Sequence, residues 1–461
     1  MFKYIIKIKG DKNSKWLTIV CILALAAFIC APAFAEVQNV KVSGDIAVRS
    51  ILRDNYTLDK DTAKSEASFM QSVGLNIDAD LTDNVSTSVR LVNQRDWDNN
   101  SDVGTPGAQT NAFSVDLDLA YVTLKEMIYA PLTLTIGRQG LWFGRGLIVG
   151  ANLQDFNGSI VANEYTETSA FDAIKATLDL APWKLDLLYS KIDENTIVGA
   201  TGLKDDVDLY GVNAGYKFDQ YNAEAEAYYF GKFDDSSATN GQLNVNTYGL
   251  RGSLEPVENL TIGAEGALQN GRHTDTLNAQ GMSIKAYAYD LYGKYKFTDV
   301  QWTPTLGVEW LSLSGEKNGS TTSTWNGWDV MYRGKFDTAI RDFQNVYYAT
   351  AARATAALGQ DTGVSNQNSL LITGSIVPTE DVTVQGTYGH FWLNENLDAA
   401  TRGALKSGTE VGDELDLLLT YDYTEDVSFG LLTGWFFPGK IFPSGQDDVA
   451  TDVVGTMKVV F

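Results

Sequence analysis

Cysteine, histidine and long apolar runs are scarce in this 461-residue chain. Both cysteines lie within the first 35 residues, so the rest of the chain offers no disulfide and no cysteine-based metal site. The two histidines, His273 and His390, lack the spacing of a catalytic triad, which disfavours a nucleophilic enzyme. Beyond residue 35 no apolar stretch reaches the roughly 20 residues of a membrane-spanning helix. The composition therefore disfavours a helical membrane anchor and an enzyme, and it predicts no cofactor and no metal.

Basic residues are also in the minority. The chain has 35 Lys and Arg against 58 Asp and Glu, a net charge of −23. Nucleic-acid-binding proteins have the opposite balance, so no nucleic-acid partner is expected.

The first 35 residues are typical of a secretory signal. Lysines precede an apolar run at 16–29, and Ala33-Phe34-Ala35 offers a small-x-small cleavage site. We expect cleavage after Ala35 and a single mature domain over 36–461. Lipidation at Cys30 is the alternative start.

Polar and apolar residues alternate along most of the remaining chain. In Glu414 to Tyr423 the carboxylates share one face and the leucines the other, and Ala450 to Phe461 ends on an aromatic of the apolar face. One such strand would suit a soluble sandwich as well. Many in series, without a helical period, favour lipid on one side and water on the other.

Short turns and long loops separate these segments in alternation. The turns Thr82-Asp83-Asn84, Val257-Glu258-Asn259, Thr379-Glu380-Asp381 and Thr424-Glu425-Asp426 resemble one another and suit tight-turn geometry. Eight short turns and nine long loops predict about 18 antiparallel strands. The fold class is thus an all-β transmembrane barrel with short periplasmic turns and long extracellular loops, embedded in the lipid of a bacterial outer membrane.

The lumen of such a barrel is its functional surface, because wall side chains do not fill it. Alternation places charged residues of both signs on the inner face, which predicts a transverse field that orients polar solutes. A salt-bridged lining that only keeps the wall hydrated is the alternative. The lining candidates are Arg49, Arg53, Arg90, Arg251, Asp116, Asp118, Glu414 and Asp416.

Several motifs resemble the alginate-export family of outer-membrane barrels. They are Gly137-Arg138-Gln139, the glycine-rich stretch from Trp142 to Gly150, Phe171-Asp172-Ala173, Gly412 to Leu417, and Phe436-Phe437-Pro438-Gly439. The resemblance implies an 18-stranded barrel whose arginine-rich constriction passes an anionic polysaccharide. Arg138 and Arg145 match the motif, and Arg95 joins Arg49, Arg53 and Arg90 as a candidate by strand placement.

The resulting hypothesis is a passive channel for polar or anionic solutes, polysaccharide included. The alternative is a structural or binding scaffold, with loop 314–367 plugging the barrel. The sequence leaves open the solute, the direction of transport, the oligomeric state and the position of that loop.

Overall fold

The computed structural model describes residues 39–56, 58, 65–97, 114–153, 166–193, 206–234, 243–273, 281–316, 324–341, 365–397 and 405–461. The predicted signal at 1–35 lies outside these residues. The strands are β1 (Asn39–Asp54), β2 (Glu66–Thr82), β3 (Val85–Asp96), β4 (Asp116–Lys125), β5 (Leu132–Gln139), β6 (Phe171–Leu180), β7 (Trp183–Asp193), β8 (Val207–Lys217), β9 (Glu224–Asp234), β10 (Leu243–Val257), β11 (Leu260–His273), β12 (Met282–Lys296), β13 (Thr305–Leu313), β14 (Thr324–Trp325), β15 (Gln367–Thr379), β16 (Val382–Leu393), β17 (Glu410–Asp422), β18 (Val427–Pro438) and β19 (Ala450–Val460).

Eighteen of these strands form one closed antiparallel wall. Each pairs with its neighbours in chain order, and β1 pairs with both β2 and β19 to close the ring. β14 is only two residues long and pairs in parallel with β12, while β13 pairs directly with β15, so β14 is not part of the wall. The predicted all-β barrel of about 18 strands is confirmed, with short connections at eight places.

The two faces of each strand differ as the alternation predicts. On β17, Leu415, Leu417 and Leu419 are exposed on the outside, while Glu414 and Asp416 are buried on the inside. An outer face of exposed leucines is stable only against lipid, since in water it would forgo the free energy of burial. Among the described residues, no helix has the length and hydropathy to cross a bilayer.

Two connecting segments fold into the barrel. Residues 140–153 follow β5, and residues 324–341 begin with β14. Their side chains Leu147, Val149 and Trp328 are buried in one cluster with wall residues of β6 to β13. Ile340 belongs to a second cluster, which it forms with wall residues of β15 to β19. The contents of the lumen are therefore set by these segments as much as by the wall.

Candidate functional site

Arg145 marks where the loop after β5 crosses the lumen. Its guanidinium lies 3.0 Å from Asp290 of β12 and 2.5 Å from Glu309 of β13. These strands stand seven and eight places from β5 in the ring of 18. β12 begins with Met282 at the end of the strand that follows a long loop. Asp290 lies eight residues further along β12, which is ~26 Å at ~3.3 Å per residue. The loop thus narrows the barrel well below its rim.

Apolar anchoring and two glycines explain this path. Leu141 and Ile148 of the loop are almost fully buried against the inner wall. Between them Gly144 and Gly146 have positive φ values of 54° and 77°, which turn the chain around Arg145 at little cost. The turn packs closely, because a Cβ built on Gly144 would lie 3.1 Å from Cδ of Arg251.

The second segment, 324–341, runs beside this loop. The amide of Tyr332 donates to the carbonyl of Ile148 at 2.9 Å, and Gly150 donates to the carbonyl of Tyr332 at 2.7 Å. Burial raises the pKa of the Tyr332 hydroxyl above its ordinary value, and the nearby carboxylates Asp329 and Asp234 raise it further. Two backbone segments joined by hydrogen bonds form a stiffer obstruction than either would alone.

Wall carboxylates and an amide hold the second segment. Gln269 of β11 accepts from the Asp329 amide at 2.9 Å and donates to the Asp329 carbonyl at 2.7 Å. Glu414 accepts from the amides of Ile340 and Arg341 at 2.6 and 2.8 Å, and Asp416 accepts from Ala339 at 3.1 Å. Glu414 and Asp416 therefore face the interior and anchor this segment.

Lys335 connects this segment to the Arg145 pairs. Its ammonium contacts Glu309, lies 2.8 Å from Asp337 and lies 3.9 Å from Asp290. Arg145 also stacks over Tyr292, with its guanidinium carbon 3.7 Å from the ring centre. Arg333 lies 3.8 Å from Asp337, so three basic groups meet three carboxylates in this cluster.

A second charged cluster lies on the opposite wall. Arg90 of β3 contacts Asp118 at 3.0 Å, Asp45 at 3.2 Å and Glu167 at 3.8 Å, and Arg49 contacts Glu167 at 3.3 Å. β3 and β12 stand nine places apart in the ring of 18, so Arg90 and Asp290 lie on opposite walls. In these pairs two arginines meet three carboxylates.

The remaining inward candidates make contacts other than the ion pairs of these two clusters. Arg251 contacts Glu224 at 2.5 Å and also contacts Glu226. Arg53 and Asp452 are 3.6 Å apart, with each side chain only 2% exposed. Arg53 is therefore packed away from water. Asp116 is partly buried on β4, opposite the buried Val92.

Two residues predicted to line the lumen lie instead on the outer face of the barrel. Arg138 shares its face with the exposed Ile136 and Ile174, and it lies 3.4 Å from Asp172 on the outside of the barrel. Arg95 alternates with the inward Gln94 and shares its face with the exposed Trp97. The prediction that both line the lumen is wrong, because side chains of successive strand residues point to opposite faces.

Sequence reasoning missed several partners in these clusters. Asp290 shares the inner face of β12 with Ala288 and Tyr292, so its orientation was available from the sequence. Glu167 and Lys335 lie in long connections, where no periodic pattern indicates their contacts. Within the described ranges, no group of three or more His, Cys, Asp or Glu is arranged to hold a metal ion.

The model of the family described as alginate export matches residues 39–456. The chain belongs to the alginate export family. Together with the closed barrel, this membership identifies an outer-membrane channel. No curated protein matches the chain.

Several solved porins share its fold. OpdK of Pseudomonas aeruginosa, solved with vanillate, superposes with a TM-score of 0.53 and 13% identity, covering 91% of this chain and 99% of OpdK. A BenF-like porin of Pseudomonas fluorescens Pf-5 gives 0.56 and 11%, covering 92% and 100%. OccAB1 of Acinetobacter baumannii gives 0.57 and 11%, covering 93% and 99%. At these identities the likeness shows the fold alone.

Proposed function

We propose that this member of the alginate export family is a passive channel for small polar solutes and catalyses no reaction in its lumen. The observation that carries the proposal is the reach of Arg145 from β5 to Asp290 and Glu309. An 18-stranded wall encloses more space than its own side chains fill, and an inward loop reduces that space to a selective passage.

The charge around the passage favours neutral or zwitterionic solutes over a polyanion. Arg90 and Arg49 meet Asp45, Asp118 and Glu167 on one wall. Arg145 and Lys335 meet Asp290, Glu309 and Asp337 on the other. A polyanion would have to displace carboxylates from each arginine, whereas a neutral solute exchanges hydrogen bonds only. Anionic polysaccharide, which the resemblance implies, is therefore the less supported cargo.

One observation favours the alternative of a plugged scaffold. Both inward segments bury large side chains against the wall, including Leu147, Trp328 and Ile340. Packing of this kind is what a permanent plug requires.

Single-channel recording in planar bilayers separates the two functions. A channel gives discrete open steps, and in a salt gradient its reversal potential reports the preference for anions or cations. We expect open steps with little charge preference. A closed barrel would support the scaffold, and strong anion selectivity would support the polyanion.

A further inference from the structure

Trp142 lies near the start of the loop that crosses the lumen, and its contacts hold the side chain in one orientation. Its ring packs on the backbone of three glycines: a Cβ built on Gly146, Gly150 or Gly334 would lie 2.6, 3.1 or 2.8 Å from the nearest ring atom. Its indole nitrogen donates to the carbonyl of Gly144 at 3.1 Å. Any larger residue at these glycines would push the Trp142 ring away from the backbone surface on which it packs.

The ring is also exposed, although its neighbours are not. Trp142 is 56% exposed, whereas Leu141 and Leu147 are 2% and 1% exposed. Trp183 is equally exposed at 56%, but it lies on the outer face of β7, where aromatic residues meet the membrane interface. Trp142 has no lipid to contact on a loop inside the barrel. An indole face left in water forgoes burial free energy, which a bound solute would recover.

Charged residues are sequence neighbours of two of these three glycines. Arg145 adjoins Gly146, and Arg333 and Lys335 flank Gly334. Glu309 and Asp337 lie with Lys335, so donors and acceptors occur together beside an apolar face.

We propose that Trp142 is a stacking platform for the ring of a neutral sugar. This inference deepens the proposed channel function and depends on it. The face of an aromatic ring is electron-rich and attracts the C–H groups on the flat side of a sugar ring. The surrounding donors and acceptors match the hydroxyl groups at the sugar's edge. The carboxylates disfavour an acidic ring in the same place.

The test is blockade of ion current by maltotriose in planar bilayers, with sorbitol and benzoate as the comparison solutes. Sorbitol has hydroxyl groups but no ring, and benzoate has an aromatic ring and a negative charge. We expect maltotriose to block the wild-type channel most strongly. Trp142→Ala should weaken the block roughly two- to tenfold, the range of single aromatic contacts, and Trp142→Phe should restore part of it.

Trp183→Ala is the matched control, because it removes an equally exposed tryptophan from the outer face. It should leave the block unchanged. Gly334→Ala should weaken the block without removing the ring, since the added Cβ would lie 2.6 Å from the Gly150 backbone and 2.8 Å from the Trp142 ring and would disturb the packing of both. Heat-modifiable mobility on gels confirms that each variant is folded.

Three outcomes would overturn the proposal. Equal block by maltotriose in the wild type and in Trp142→Ala would show that Trp142 does not bind the sugar. Equal block by sorbitol and maltotriose would show that binding does not require a sugar ring. Stronger block by benzoate than by maltotriose would show that Trp142 binds aromatic solutes rather than sugars. In each of these cases open steps would still support the channel, whereas a barrel without conductance would overturn the channel and the platform together.

Discussion

Phe461 and Gly44 join the two ends of the barrel wall. The amide of Phe461 donates to the carbonyl of Gly44 at 3.0 Å, and the amide of Gly44 donates to the carbonyl of Phe461 at 2.8 Å. A Cβ on Gly44 would lie 2.7 Å from the Phe461 ring, so the ring passes directly over the glycine. The last residue of the chain therefore takes part in closure, both through its backbone and through its side chain.

Phe461→Asp should harm assembly. The change places a charge on the lipid-facing side of the closing strand and weakens an edge whose unpaired backbone groups each cost several kcal/mol in hydrocarbon. Heat-modifiable gel mobility measures the folded fraction. Thr456→Asp is the control, because Thr456 lies inside the barrel opposite Arg49. Equal folded fractions for both variants would show that Phe461 has no special part in closure.

Removing both wall carboxylates of β17 should release the segment at 339–341. In Glu414→Gln with Asp416→Asn, three backbone amides lose charged acceptors, each worth about 1.5–3 kcal/mol. Hydrogen exchange at Ile340 and Arg341 should then speed up about tenfold or more.

Glu410→Gln is the control for that experiment, since Glu410 lies on the same strand and pairs with Lys440 at the surface. It should leave exchange at 339–341 unchanged. Unchanged exchange in the double variant as well would mean that other contacts hold the segment.

Neutralising Arg49 and Arg90 should make the channel prefer cations. The change to Gln leaves Asp45, Asp118 and Glu167 without their arginines, so the lumen becomes more negative at that wall. The reversal potential in a salt gradient should move toward the cation value.

Asp447→Asn with Asp448→Asn is the comparison, because both residues are exposed on the loop between β18 and β19. Charges there are screened within a Debye length of ~8 Å at physiological salt, so the potential should change little. A shift as large as that of the arginine variant would assign selectivity to the mouth of the barrel.

The wall was predictable because each strand carries its own orientation signal. On β5, Leu132, Leu134 and Ile136 share a face with Arg138, so alternation alone places that arginine outside. The family motif suggested the opposite, and the local pattern was the better guide. Arg95 is a similar case, since it alternates with Arg90 and Gln94 along β3.

The lumen was less predictable because its contacts join distant parts of the chain. The family resemblance indicates Arg145 as a candidate, but its partners on β12 and β13 follow from the path of the whole loop. Glu167 and Lys335 belong to connections without periodicity, so neither their depth nor their partners can be read locally. Burial of Leu147 and Ile148 decides that path, and burial depends on the assembled wall.

Single-channel conductance of wild type, Arg145→Gln and Arg138→Gln tests the constriction most directly. Both variants remove one guanidinium from the same part of the chain, but Arg145 lies across the lumen and Arg138 lies on the outer face. We expect open steps in the wild type, larger steps in Arg145→Gln because the loop loses its tether, and wild-type steps in Arg138→Gln. A closed wild-type barrel, or identical steps in all three proteins, would show that the loop at Arg145 does not govern passage.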